Sequence, residues 1–134
     1  RAAKISGKVV LALVTVGLLL WAAPLVNAGA LTSEVNGVRV ELTSSPNRPR
    51  ANGQTEYVVR LLDGTGQPVI GAQVTLRGGM ADGMSVVAPL RPAGEAGVYR
   101  GRVLFTMEGR WDLTLRVARE GKRFELPLTE HVGR

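Results

Sequence analysis

The chain contains no cysteine. That excludes a disulfide framework, a thiolate metal site and a cysteine nucleophile. Histidine is nearly as scarce: His131, close to the C-terminus, is the only one, and no serine or threonine stands in an arrangement that it would activate. Carboxylates for acid and base work would have to come from Asp82, Asp112, Glu108 or Glu130, which the sequence gives no reason to bring together. Glycine-rich phosphate loops are missing too, because "DGTGQP" leads into a strand and not a helix. No constellation for catalysis is left, and the sequence predicts a protein that is not an enzyme. Two Trp, two Tyr and two Phe make up the aromatic content. So few rings are expected to serve packing rather than ligand stacking.

What is present begins with charge. The net charge is +6, but Arg1, Lys4 and Lys8 stand ahead of an apolar run. Setting those three aside leaves 14 basic against 11 acidic residues, a net of +3. The remaining arginines alternate with Glu and Asp and form no cluster interleaved with aromatics, so nucleic acid is not an expected partner.

From Val9 to Val26 the sequence "VVLALVTVGLLLWAAPLV" carries no charge. At helical rise it reaches about 27 Å, close to the hydrocarbon thickness of a bilayer. The basic residues before it, with no Lys or Arg from residue 9 to 38, put the N-terminus in the cytoplasm and the rest outside. A cleavable signal peptide is the rival expectation, because "VNA" at Val26 to Ala28 offers small residues at a suitable spacing. Either one exports the C-terminal part of the chain. The expected organisation is a basic cytoplasmic N-terminus (1–8), a transmembrane helix or signal sequence (9–26), a spacer (27–36) and an extracytoplasmic domain (37–134). That places the protein in the cytoplasmic membrane, with the lipid bilayer and other membrane subunits as expected partners.

After the spacer come short runs of period two: "VRVEL" (Val38 to Leu42), "EYVVRLL" (Glu56 to Leu62), "AQVTL" (Ala72 to Leu76), "SVVAPL" (Ser85 to Leu90) and "RFELPL" (Arg123 to Leu128). Between the last two lies "GVYRGRVLFTMEGRWDLTLRV", Gly97 to Val117, which has the pattern of a β-hairpin turning at Glu108 and Gly109. Turn-rich segments separate the runs. About seven strands without helical period outside the apolar run predict an all-β, immunoglobulin-like antiparallel β-sandwich. Alternation puts Tyr99, Val103, Phe105 and Met107 on one face, as it does Trp111, Leu113, Leu115 and Val117. Within "EAGVY", Tyr99 has the setting of a tyrosine corner, whose phenol bonds upstream backbone. Two positions on, where antibody domains carry a cysteine, stands Gly101. Phe105 and Trp111 are then needed to fill the core.

Three methionines remain. Met80 and Met84 lie in "RGGMADGMS" and Met107 at the tip of the expected hairpin. Thioether sulfur is a soft ligand that selects Cu(I), so Met80, Met84 and Met107 with His131 form the candidate metal set, and copper is the one candidate cofactor. The alternative is that these methionines plug the core beneath their own loops.

"DGTGQPVIGAQVTL", followed by a methionine-bearing loop and "GVYRGRVLFTMEGRWDLTLRVAREGKRFE", resembles the YtkA-like and FixH-like group of bacterial exported domains. The likeness covers about Asp63 to Glu125. It implies a single-pass protein with its domain outside the cytoplasmic membrane, associated in FixH-like members with assembly of haem-copper oxidases and copper supply. Met80, Met84 and Met107 are the copper-contacting candidates under that resemblance. The loop lacks the accompanying histidines of a strong copper chaperone, and the apolar run lacks the polar, aromatic character of FixH. Two functions are therefore expected: an accessory or assembly protein of a respiratory haem-copper oxidase that handles Cu(I), or a non-catalytic structural subunit of a membrane electron-transfer or photosynthetic complex that binds no metal.

Overall fold

The computed structural model describes residues 30–134; the apolar run of residues 9–26 lies outside them. Eight antiparallel strands make up the domain: β1 (Ala30–Val35), β2 (Val38–Ser45), β3 (Gly53–Leu62), β4 (Gln73–Gly79), β5 (Ser85–Pro92), β6 (Val98–Phe105), β7 (Gly109–Arg119) and β8 (Lys122–Val132). Among the described residues no helix is long and apolar enough to cross a membrane. The hydrogen-bonded order is β1-β2-β3-β6-β5-β4-β7-β8. One layer holds β1, β2, β3 and β6, and the other holds β4, β7 and β8. β5 belongs to both. Its first part pairs with β4 along Ser85–Leu90, and its last two residues, Arg91 and Pro92, cross over to pair with Arg100 and Tyr99 of β6.

The alternation of each strand decides which side is dry. Val40 and Leu42 of β2, Tyr57, Val59 and Leu61 of β3, Val74 and Leu76 of β4, and Trp111, Leu113, Leu115 and Val117 of β7 form one core with Tyr99, Val103 and Phe105 of β6. Fully burying a side chain of this size contributes about 1.5–3 kcal/mol, so the interleaved faces from both layers hold the sandwich shut. Outside, Arg39–Glu41, Arg60–Glu95 and Arg116–Glu125 pair across exposed faces at 3.1, 3.0 and 2.8 Å. Such exposed pairs stabilise little and account for the alternation of basic and acidic residues as a wet surface.

Two features differ from the sequence pattern. The stretch Gly97 to Val117 is not a hairpin: β6 pairs with β3 and β5, whereas β7 pairs with β4 and β8. Residues 106–108 therefore carry the chain from one layer to the other. The apolar faces of β6 and β7 meet across the core instead of lying side by side, with the Phe105 and Trp111 rings edge to face at 5.2 Å and 66°. The alternation is the same in both arrangements, which is why the pattern alone did not separate them. The second difference is β1, an eighth strand inside the segment expected to be spacer. It pairs with β2 from Ala30↔Thr43 to Val35↔Val38, and Asn36 and Gly37 turn the chain at φ 52° and 79°. Asn-Gly with both residues left-handed is the favoured two-residue hairpin turn, a signal the spacer assignment passed over.

Candidate functional site

The strand registers define two poles. At one pole stand the start of β1, the end of β2, the start of β3, the end of β4, the start of β5, the end of β6, the start of β7 and the end of β8. Met80, Met84, Met107 and His131 all lie there. Met80 and Met84 bound the tight β4–β5 connection, closed by the Met80 amide donating to the Met84 carbonyl at 2.8 Å and the Gly83 amide to the Met80 carbonyl at 3.1 Å. Asp82 Oδ1 accepts the Met84 amide at 3.1 Å. Met107 sits in the link between layers, its carbonyl accepting the Trp111 indole N–H at 3.0 Å.

The four side chains have different surroundings. Met80 is half-buried against the core, and its Cε lies 2.7 Å from where a Cβ on Gly109 would stand. With φ at 126°, Gly109 suits only glycine, and its bare face is where Met80 rests. Met84 and Met107 are exposed, at 37% and 43%. His131 is exposed and pairs across the strands with Arg110, while its neighbours Glu130 and Val132 are buried. Successive strand residues point to opposite faces, so His131 is on the outer face of β8, away from the side on which Met80 packs. Among the described residues no three His, Cys, Asp or Glu side chains gather to hold a metal ion. Thioether sulfur is thus the soft donor type at this pole, exposed at Met84 and Met107 and packed at Gly109 in the case of Met80.

The expected structural residues behave as such. Tyr99, 1% exposed, donates its phenol O–H to the Val69 carbonyl at 2.9 Å and accepts the Ala72 amide at 3.1 Å. This ties the β3–β4 connection to β6, as a tyrosine corner does. Phe105 and Trp111 are fully buried. Gly101 also has a spatial reason: a Cβ there would come within 2.6 Å of the Pro89 carbonyl where β5 crosses.

The structure adds a buried acid. Glu130 is 2% exposed and its Oε2 accepts the Tyr57 phenol at 2.6 Å. Burial, the largest influence, pushes the Glu130 carboxyl above its ordinary range, with the Tyr57 hydrogen bond and His131 opposing. Burial and the neighbouring carboxyl push the Tyr57 phenol up as well. Among the described residues Glu130 Oε1, Thr55 Oγ1 and Ser44 Oγ have no hydrogen-bond partner. Parity was the available clue, since Glu130 falls on the same face of β8 as Leu126 and Leu128. Enclosed in the core, the Tyr57–Glu130 pair has no surface from which to meet a substrate. A shallow cleft on the outer face of β2, β3 and β6 is lined by Glu41, Arg60, Glu95 and Arg100, and Arg60 is already paired with both Glu41 and Glu95.

A family model described as YtkA-like matches residues 32–116. The chain belongs to the YtkA-like family. The match spans β1 through most of β7 and takes in all three methionines of the YtkA-like chain. Among solved structures, a DUF4426 family protein from Pseudomonas aeruginosa is similar at 19% identity and a TM-score of 0.58, over 78% of this chain and 95% of the other. The Lin-41 filamin domain is similar at 22% identity and a TM-score of 0.52, over 71% and 92%. A copper-bound variant of Campylobacter jejuni P19 follows at 10% identity and a TM-score of 0.49, over 79% and 96%. The first two likenesses bear on the fold alone, and the third is too remote to bear on either fold or ligand. No curated protein matches.

Proposed function

We propose that this YtkA-like, immunoglobulin-like domain is a non-catalytic accessory module held outside the bacterial cytoplasmic membrane, which handles Cu(I) through methionine thioethers for the assembly of a respiratory haem-copper oxidase. One observation carries this: the chain's only three methionines sit in neighbouring connections at one pole, and two of them are exposed. Methionine at a loop tip, open to water, is not needed to fill a core. Two or three thioethers give a soft, neutral site that favours Cu(I) over harder ions, and weak enough to pass the ion onward. In this role the protein supplies a rigid platform. The β4–β5 turn fixes Met80 and Met84, the indole of Trp111 fixes the backbone at Met107, and no protein group changes protonation when a thioether binds.

A second function is favoured by a different observation. Met80 is half-buried against Gly109 and His131 faces the other side of β8, as suits a metal-free structural subunit of a membrane electron-transfer complex. Purification of the full chain from native membranes in mild detergent, with co-purifying chains identified and copper quantified in the same sample, separates the two. Copper retained in proportion to the wild-type chain, and lost in a Met84→Ile, Met107→Ile variant, supports Cu(I) handling. Oxidase or other electron-transfer subunits recovered with no copper above that of the variant supports the structural role.

A further inference from the structure

The chain enters the described domain at Ala30, and Ala30 pairs with Thr43 near the end of β2. That is the methionine pole. The uncharged run of residues 9–26 ends only four residues earlier, and four residues fully extended reach no more than about 14 Å. We propose that the methionine pole is a docking face for the anionic headgroup surface of the bilayer, so that the sandwich stands on the membrane on its β4–β5 and β6–β7 connections. This rests on the assignment of residues 9–26 as a retained bilayer span, and goes beyond it by fixing which end of the domain faces lipid.

Charge and apolar exposure at the two ends agree with that orientation. Connections at the methionine pole and the C-terminus carry Arg48, Arg50 and Arg134 against Asp82 and Glu108. Among the described residues Arg134 approaches Glu108 at 3.6 Å, whereas Arg48 and Arg50 form no ion pair. The connections at the far pole carry Asp63, Glu95 and Glu120, with Arg119 and Lys122 at the strand ends beside them and Arg119 3.8 Å from Glu120. Exposed Met84 and Met107, with Leu104 one residue from the end of β6 and 47% exposed, supply apolar tips beside the two free arginines. Basic side chains near an anionic surface contribute about 1 kcal/mol each, and apolar tips enter the headgroup layer. Ile70 is the exposed apolar side chain at the other end.

The absence of cysteine makes the test direct. Met84→Cys, Met107→Cys and Gln67→Cys versions of the full chain are each labelled with a fluorophore and reconstituted into phosphatidylglycerol-containing vesicles bearing a headgroup nitroxide quencher. Gln67 lies beyond the far end of β3, and a strand of β3's length holds it about 30 Å from the near pole. The expected result is strong quenching at positions 84 and 107 and little at 67. Replacing Arg48→Glu and Arg50→Glu together lowers the docked-to-undocked ratio by roughly fivefold per arginine in anionic vesicles, and leaves neutral vesicles unaffected. Equal quenching at 67, or none at 84 and 107 in pure lipid, overturns the docking face even where the chain floats with carbonate-washed vesicles. Failure to float overturns the membrane span itself, and the docking face with it.

Discussion

Residue by residue, the chain separates into positions whose role follows from local sequence and positions whose role follows from parity. Tyr99 belongs to the first kind. Its phenol bonds the Val69 carbonyl and the Ala72 amide, so Tyr99→Phe leaves one buried and one half-buried backbone group without that partner. Chemical denaturation should show a loss of about 2 kcal/mol with little change of fold. Glu130 is of the second kind: a charged residue near the C-terminus resembles a wet position until its register with Leu126 and Leu128 is counted. Because burial raises its pKa above the unfolded value, the stability linked to this group is fully present below the ordinary carboxylate pKa. It is lost as pH rises through the raised one. Each unit of that shift is worth about 1.4 kcal/mol. The denaturation midpoint of the wild type is expected to fall between acid and neutral pH, and Glu130→Gln, which still accepts from Tyr57, is expected to flatten that slope.

For whole strands, alternation was enough to place most of the core. Trp111, Leu113, Leu115 and Val117 bury together as their spacing requires. Alternation is blind to which strands pair, however, and so the link at residues 106–108 read as a hairpin although it crosses between layers. The distinguishing information is long-range. It lies in the fit of Phe105 against Trp111 and in the way β5 changes layers past Gly101. A methyl group at Gly101 would meet the Pro89 carbonyl at 2.6 Å, and β5 could not shift without giving up its pairing to β4 or β6. Gly101→Ala is expected to cost about 1–3 kcal/mol and to raise amide exchange first at Leu90 and Arg91, measurable by hydrogen exchange. β1 was legible in its Asn-Gly turn, though its own six residues alternate too weakly to announce a strand.

Taken as a whole, the molecule is a sandwich with two unlike ends, and that polarity is the part no local pattern displays. Met80, Met84, Met107 and His131 were visible in the sequence as candidate ligands, but only the strand order puts them at one pole. Only strand parity sets His131 on the outer face. The same pole receives the chain at Ala30, so under the proposed bilayer span a soft ion bound there would be held close to the membrane. The claim that this end handles Cu(I) is tested most directly by titrating the full chain in detergent with Cu(I) against a chromophoric chelator, then recording copper K-edge absorption on the loaded protein. The expected outcome is one Cu(I) per chain with sulfur scatterers only, unchanged in His131→Ala and abolished in Met84→Ile, Met107→Ile. Failure of the wild type to compete for Cu(I), or a bound ion that survives loss of both exposed methionines, would contradict it.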